Sequence, residues 1–246
     1  MNENISAIVF DLGGTLRIAL KDKEWMEQGR RNMAKLAGTD LPFEDFYALV
    51  EERYEKYREW ALDVNRESND EELWCKWLLY DYPRVRIFAN RHKLSYEYRQ
   101  SKGRRVVVEH GVEVLKELHR RGYKLGIISN LIGETEVYDW LEADGLLDLF
   151  SSVILSPECG LRKPDAEIYR VSGRDLGVPC GQIASIADNQ GRDIEGAREA
   201  GIAYNVLYNS PEKKHPVDPN GENPPDAIVN DFLELLDLFP PKEGCA

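Results

Sequence analysis

Short, wholly apolar segments separated by segments of helical periodicity restrict the fold of this chain more than any other property of its sequence. The apolar segments are residues 7–10, 125–128, 153–155, 183–187 and 227–229. A strand with both faces buried needs a continuous apolar run, whereas a strand with one solvated face alternates apolar and polar residues. The pattern therefore predicts an α/β protein built on a doubly wound, Rossmann-like parallel sheet.

Segments of helical periodicity lie between the predicted strands. Two of them, residues 112–118 and 194–200, are each followed by a glycine that suits a helix C-terminus. Near the end of the chain, residues 210–225 are rich in Pro, Lys, Asn and Gly, which predicts a surface loop. We expect the last strand and a short helix at residues 232–239 to follow this loop.

The stretch from about residue 21 to residue 102 departs from the alternation of strands and helices. It has hardly any strand-like run, and its charged, aromatic-rich segments at residues 25–36, 43–54 and 72–80 have helical periodicity. We therefore expect an all-helical cap, residues 19–104, inserted into an α/β core of residues 1–18 and 105–246. Hinges would lie near residues 16–19 and 101–106.

The charge of the chain excludes two classes of partner. It has 32 Lys and Arg residues against 44 Asp and Glu residues, so its net charge is −12. Such a charge repels nucleic acids and anionic membranes. No apolar run is long enough to cross a bilayer, and the N-terminus lacks the basic segment and cleavage site of an export signal. We expect a cytoplasmic protein, either a monomer or a homodimer.

Four polar clusters follow apolar runs of the predicted sheet. They are residues 11–16, with Asp11 entering a glycine loop; Ser129 and Asn130; residues 160–165, with Lys163 before Pro164; and residues 188–193, with Asp188 and Asp193 at the two ends. Each cluster alone has a plain structural explanation as a helix cap, a turn or an exposed charge. Together they place a carboxylate, a hydroxyl, a lysine and an acid pair along the carboxyl edge of one parallel sheet, where ligands bind.

With these clusters the chain resembles the haloacid dehalogenase superfamily of hydrolases. Residues 9–16, 127–130, 162–165 and 188–193 look like the first to fourth motifs of that superfamily. The helical insert looks like the cap of the subfamily that contains phosphoglycolate phosphatases, small nucleotidases and dehalogenases. The resemblance covers nearly the whole chain and is specific to the superfamily, but it does not specify a substrate.

The resemblance implies a Mg²⁺-dependent phosphatase that acts on a small phosphorylated metabolite. Asp11 would be the nucleophile and would form an aspartyl-phosphate. The protein ligands of Mg²⁺ would be Asp11, Asp188 and the main-chain carbonyl of Gly13, a set of hard oxygen donors that suits this ion. Asp193 would lie further out and hold Lys163 or a metal-bound water.

The same resemblance implies which residues bind the substrate. Ser129, Asn130 and Lys163 would hold the phosphate and offset the repulsion between two anions. Gly14 belongs to the glycine loop, whose N–H groups can surround an anion. Arg17 lies just beyond this loop, and it is a candidate for binding a second anionic group, as are Arg30 and Arg31 in the first cap helix.

Gly13 departs from the pattern of the superfamily. Its phosphatases carry a second aspartate two residues after the nucleophile, which protonates the leaving alcohol and later activates water. A glycine keeps the main-chain carbonyl but supplies no general acid or base, and such catalysis contributes about 10²–10⁴-fold. We therefore expect slow turnover of phosphate esters with poor leaving groups.

The missing aspartate leaves two other interpretations open. The first is the chemistry of superfamily branches that lack it: a phosphonatase that cleaves a C–P bond with a cap lysine, for which Lys21, Lys23, Lys35, Lys56 and Lys76 are available, or a metal-free dehalogenase, against which Asp188 counts. The second is a protein that binds a phosphorylated ligand or a metal with little turnover.

Overall fold

A six-stranded parallel sheet forms the centre of the computed structural model, which describes residues 4–210, 218 and 221–242. In chain order the strands are β1 (Ala7–Phe10), β2 (Arg17–Leu20), β3 (Arg104–Val107), β4 (Lys124–Ser129), β5 (Phe150–Leu155), β6 (Ile183–Ala187), β7 (Tyr204–Tyr208) and β8 (Ala227–Val229). The order in the sheet is β5-β4-β1-β6-β7-β8. The predicted Rossmann-like sheet is confirmed, with β1 at its centre.

Helices cover both faces of this sheet. In chain order the helices are α1 (Lys23–Ala37), α2 (Phe43–Asp63), α3 (Asp70–Glu72), α4 (Arg84–Gln100), α5 (Gly111–Arg120), α6 (Glu136–Ala143), α7 (Ser156–Cys159), α8 (Ala166–Leu176), α9 (Glu195–Glu199) and α10 (Leu235–Leu238). Side chains alternate along β1. Ile8 and Phe10 therefore pack with α5 and α6, whereas Ala7 and Val9 pack with α8 and α9.

The five predicted strands all belong to the six-stranded sheet, and β7 is the strand of that sheet that the sequence pattern missed. Strands β2 and β3, which pair outside this sheet, were not predicted either. Asn205 interrupts the apolar run of β7, yet Asn205 is buried in the sheet. Its backbone N–H donates to Asp226 Oδ2 at 2.7 Å, and its side-chain amide lies 3.4 Å from the same oxygen. This carboxylate accepts from both donors of Asn205, the backbone N–H and the side-chain amide, so burial in the strand leaves neither donor unpaired.

The chain between β2 and β3 forms helices α1 to α4, and their buried side chains make a second hydrophobic cluster. Met33, Phe46, Trp74 and Leu94 belong to this cluster. The helices predicted near residues 25–36 and 43–54 are α1 and α2. The one predicted at residues 72–80 is short α3 followed by a wider, π-type turn, Leu73–Leu78.

Helix α4 was not predicted, because charged and apolar residues mix around it without a clear apolar stripe. Its buried positions include Ile87, Leu94 and Tyr98, but the buried Ser95 and Gln100 interrupt the pattern. Helix α4 contacts both α1 and the Leu73–Leu78 turn. Ser95 is buried where its Oγ accepts a hydrogen bond from Trp74 Nε1–H of that turn. Neighbouring helices, rather than periodicity within α4, determine which of its residues are buried.

The two predicted hinges coincide with an antiparallel ribbon. Strands β2 and β3 pair from Arg17 opposite Val107 to Leu20 opposite Arg104. The predicted boundaries, between residues 18 and 19 and between residues 104 and 105, both fall inside this ribbon. The division into core and cap stays a prediction.

The C-terminal part of the described chain returns to the sheet. Within the predicted loop of residues 210–225, residues 211–217 and 219–220 lie outside the described residues. The predicted last strand is β8, and the predicted helix is a 3₁₀ turn, Phe232–Glu234, that continues into α10. Among the helices that the structure describes, none combines the length and apolar character needed to span a bilayer.

Candidate active site

Asp11 is the first residue after the central strand β1, and its position follows from that strand. Its N–H donates to Ile186 O at 2.9 Å, which continues the pairing of β1 with β6. The side chain is buried, with 4% of its surface exposed. The chain then turns at Gly14, whose φ is +86° and where a Cβ would lie 2.3 Å from Asp188 Oδ2. Glycine at position 14 therefore lets the loop pass Asp188 closely.

Lys163 lies against Asp11 although 152 positions separate them in the chain. Its Nζ donates to Asp11 Oδ1 at 2.6 Å and to the carbonyl oxygen of Ile128 at 3.0 Å. The same Nζ is 2.5 Å from Asp193 Oδ1. Since only 1% of the lysine side chain is exposed, its charge is directed at these carboxylates and not at bulk water.

Asn130 fixes the backbone at Lys163. Its Nδ2 donates to Lys163 O, and its Oδ1 accepts from Lys163 N–H, both at 2.9 Å. The Lys163–Pro164 peptide bond is cis. The amide that we expected to hold phosphate is thus committed to the main chain of Lys163, and it positions the lysine.

Asp11, Asp188 and Asp193 form a cluster of carboxylates that can hold a metal ion. One ligand oxygen from each lies within 4.8 Å of the others. Burial, followed by the charges of Asp11 and Asp193, raises the pKa of Asp188 to about 7. Burial also opposes ionisation of Asp193, but the charges of Arg192 and Lys163 outweigh it and lower the pKa of Asp193.

Arg192 enters this cluster from the turn before α9. Its Nη2 is 2.8 Å from Asp193 Oδ2, 3.4 Å from Asp11 Oδ2 and 3.7 Å from Asp188 Oδ1. Burial opposes the charge of Arg192, but Asp193 and Asp11 outweigh it and raise the pKa of the guanidinium. The nucleophile candidate therefore has a cation at each of its two oxygens.

The structure thus brings together Asp11, Lys163, Asp188 and Asp193. Ser129 is buried at the end of β4, next to the carbonyl oxygen of Ile128 that holds Lys163. Gly13 lies between Asp11 and Gly14, on the exposed side of the loop.

Arg17 is placed away from this cluster. Its Nη1 donates to Glu136 Oε1 at 3.2 Å, and its guanidinium lies 4.5 Å from the centre of the Trp140 ring. It lines a cavity of about 400 Å³ that does not include Lys163. Arg30 and Arg31, in α1, stack on Tyr47 and Phe43 of α2. The structure therefore assigns none of these three arginines to the surroundings of Lys163.

A cavity of about 690 Å³ lies beside Lys163, lined by α2 and α4 and by the loops around residues 130–132, 162–164 and 189–192. The side chains that line it are Tyr54, Arg58, Leu62, Glu67, Tyr98, Arg99, Lys102, Arg105, Asn130, Leu131, Ile132, Arg162, Lys163, Pro164, Asn189, Gly191 and Arg192. Asp11 is covered by Lys163 and Arg192, which contact it and also face the cavity. The volume is typical of small-molecule sites.

Sequence reasoning missed several charged residues around this cavity. Arg192 lies four positions after Asp188, a spacing at which opposite charges meet on a helical turn, and this was the available signal. Arg162 stands next to Lys163 in the third motif, but no sequence signal marks its partner Glu67, 95 positions away. Arg99 has no local signal, and its partner Glu136 is 37 positions away. Only the folded chain brings these pairs together.

Comparison with known families supports the motif assignment. A family profile described as haloacid dehalogenase-like hydrolase matches residues 5–201. A glyceraldehyde 3-phosphate phosphatase of Methanopyrus kandleri is 26% identical over 95% of this chain and 97% of its own length. A phosphoserine phosphatase of Thermus thermophilus is 33% identical over 50% of this chain and 47% of its own length.

Comparison with solved structures supports the fold. The crystal structure of a 2-haloacid dehalogenase from Pseudomonas syringae pv. Tomato superimposes with a TM-score of 0.68. It covers 95% of this chain and 97% of the dehalogenase, at 18% sequence identity. At that identity the likeness concerns the architecture and not the reaction.

Proposed function

The chain belongs to the haloacid dehalogenase-like hydrolases, and on that premise we propose that it is a Mg²⁺-dependent phosphatase of small phosphorylated metabolites. The observation that carries the proposal is the position of Asp11. Its carboxylate follows the central strand, contacts Lys163 at 2.6 Å and shares a cluster with Asp188 and Asp193. This arrangement combines a nucleophile, cations for the transferring oxygens and an acidic site for a metal.

The residues present fit Mg²⁺. The carboxylates of Asp11, Asp188 and Asp193 offer hard oxygen donors within 4.8 Å of one another. The resemblance to the superfamily adds the main-chain carbonyl of Gly13. Asp188 Oδ1 is buried and has no hydrogen-bond partner among the described residues, as expected of an oxygen that serves a cation. When bound, Mg²⁺ supplies positive charge that neutralises the phosphoryl group during its transfer.

Side chains of this protein carry out the phosphoryl transfer. An Asp11 oxygen attacks phosphorus, the bond to the ester oxygen breaks, and an aspartyl-phosphate forms. Lys163 stabilises the negative charge that gathers on the phosphoryl oxygens. Gly13 offers no proton to the leaving oxygen, which must depart as an anion or take its proton from water. Water then attacks the aspartyl-phosphate without a side-chain base at this position.

The five cap lysines considered for C–P cleavage do not line the cavity beside Lys163. Two of them, Lys56 and Lys76, are exposed and paired with Glu52 and Glu72. Gly13, by contrast, favours a second candidate function, the binding of a phosphorylated ligand with little turnover.

One assay separates the two functions. We expect the purified protein to release 4-nitrophenol from 4-nitrophenyl phosphate when Mg²⁺ is present. Absence of turnover on a broad panel of phosphate esters would contradict the phosphatase. If phosphate with Mg²⁺ then still raised the melting temperature in an Asp11-dependent manner, the binding function would stand.

Arg192 competes with the metal for the same carboxylates, and this gives a prediction that does not involve turnover. Replacing Arg192 by Gln removes a cation within 3.7 Å of Asp188 and 2.8 Å of Asp193. We expect Mg²⁺ to bind roughly tenfold more tightly, equivalent to about 1.4 kcal/mol. Isothermal titration calorimetry without substrate measures this change.

The control for this prediction is Arg58→Gln, which removes an arginine that lines the cavity and is paired with Glu55. It should leave the affinity for Mg²⁺ unchanged. An unchanged or weaker affinity in Arg192→Gln would mean that the guanidinium does not occupy the metal position.

A further inference from the structure

We propose that the cavity beside Lys163 binds a second anionic group of the substrate, a carboxylate or a further phosphate, through Arg99 and Arg162. The inference rests on the proposed function, in which the first anion of the substrate is the phosphoryl group transferred to Asp11. It narrows the substrate class to phosphate esters that carry another oxyanion.

The charge of the cavity is the first observation. The chain as a whole has a net charge of −12. Among the described residues that line the cavity, seven are Lys or Arg and one, Glu67, is an acid. Lys163 and Arg192 are engaged with the Asp11 cluster. Four of the other five cations each pair with one carboxylate, and Glu67 is the one of these carboxylates that lines the cavity. In an acidic protein, such an accumulation of cations favours an anionic ligand.

Arg99 is held so that part of its guanidinium stays available. Its Nε contacts Glu136 Oε2, and both side chains are largely buried, with 13% and 5% of their surfaces exposed. Within the described residues, its Nη1 and Nη2 groups have no hydrogen-bond partner, and Arg99 lines the cavity. A guanidinium that is fixed at one end loses little freedom when its other donors take up an oxyanion.

Arg162 is held in the same way as Arg99, with one guanidinium nitrogen paired to a glutamate and the others without a partner in the described part of the chain. It lies in the core loop before Lys163, and its Nη1 contacts Glu67 Oε2. Glu67 is fixed in turn by Ser156, whose Oγ donates to Oε2 at 3.0 Å. The Arg162 Nε is buried without a partner, and Nη2 has none among the described residues.

The two ion pairs connect the predicted cap and core. In one pair the arginine belongs to the cap, and in the other it belongs to the core. Arg99 on α4 meets Glu136 on α6, and Glu67, between α2 and α3, meets Arg162. Both arginines therefore take their places only where the helices of residues 23–100 pack on the core loops. A substrate with a neutral tail leaves their free donors unpaired, whereas a carboxylate or a phosphate accepts them with two oxygens.

Binding of three matched probes tests the proposal. They are propyl phosphate, 3-phosphonooxypropanoate and propane-1,3-diyl bisphosphate, which differ only in the group at the far end. Calorimetry with Mg²⁺ on the full chain carrying Asp11→Asn prevents turnover during the titration. We expect one or both of the probes with a second anion to bind at least about tenfold more tightly than propyl phosphate. The tighter of the two identifies the group as carboxylate or phosphate.

Variants of the two arginines complete the test. Adding Arg99→Gln or Arg162→Gln should remove the advantage of the second anion and leave the affinity for propyl phosphate unchanged. The matched control is Arg17→Gln, because Arg17 also pairs with Glu136 but faces the other cavity. It should preserve the advantage, and melting temperatures report whether each variant is folded.

Equal affinity for the three probes in the parent would overturn the proposal, as would an advantage that survives in both arginine variants. Loss of the advantage in Arg17→Gln to the same extent would also overturn it, because the effect would then come from Glu136 and not from the cavity. A failure of the phosphatase proposal looks different, since it appears as absent hydrolysis of 4-nitrophenyl phosphate by the wild type.

Discussion

Replacing Asp11 by Asn lowers the rate of phosphate release by at least about a thousandfold, the scale of loss seen when a covalent nucleophile is removed. The amide has nearly the same shape as the carboxylate and still fits between Lys163 and Arg192. It lacks the anionic oxygen that attacks phosphorus, so no aspartyl-phosphate forms. Steady-state hydrolysis of 4-nitrophenyl phosphate with Mg²⁺ measures the loss.

Asp22→Asn serves as the matched control for this substitution. Asp22 caps α1, where its side chain accepts from Trp25 N–H, and Asn is an equally good cap. This variant should retain full activity and the same melting temperature. If Asp11→Asn were folded and as active as the control, Asp11 would not be the nucleophile.

Replacing Gly13 by Asp raises the hydrolysis of alkyl phosphates by about 10²–10⁴-fold, the usual contribution of a general acid and base. The position can accept the side chain, because a Cβ at Gly13 would have no atom within 4 Å and the backbone there does not require glycine. The gain should be smaller for aryl phosphates with good leaving groups, since their departure needs less protonation. Comparison of kcat/KM for propyl phosphate and 4-nitrophenyl phosphate measures both effects.

Gly13→Asn is the control, since Asn has a similar size but cannot transfer a proton. It should leave kcat/KM for propyl phosphate near the wild-type value. An equal gain in both variants would mean that bulk rather than proton transfer is responsible. A folded Gly13→Asp protein without any gain would show that the site is built for a different reaction.

The sheet and the carboxylates at its edge follow from the sequence because both depend on local patterns. Residues 7–10 form a short apolar run that fits a buried strand, and Asp11 then leaves the sheet at its carboxyl edge. The same reasoning fails for β7 and α4. In β7 the buried Asn205 depends on Asp226, 21 positions away, and in α4 burial is determined by neighbouring helices.

The charged residues around the cavity could not be predicted for a related reason. The motifs indicated Lys163 beside Asp11, but the commitment of Asn130 to the Lys163 main chain is visible only in three dimensions. Arg17 is close to Asp11 in sequence, yet the ribbon of β2 and β3 carries it to Glu136. Arg162 adjoins Lys163, but its partner Glu67 is 95 positions away, so its fixed position could not be predicted. Arg99 itself is remote in sequence, and its pairing with Glu136 places it at the cavity.

Trapping of the aspartyl-phosphate tests the central claim most directly. The wild type is mixed with 4-nitrophenyl phosphate and Mg²⁺, quenched in acid during turnover and digested for mass spectrometry. Because Gly13 provides no base to activate water, we expect the phosphorylated form to accumulate on the peptide that contains Asp11 and to decrease in Gly13→Asp. Phosphate release at the full rate while Asp11 never carries a phosphoryl group would contradict the account.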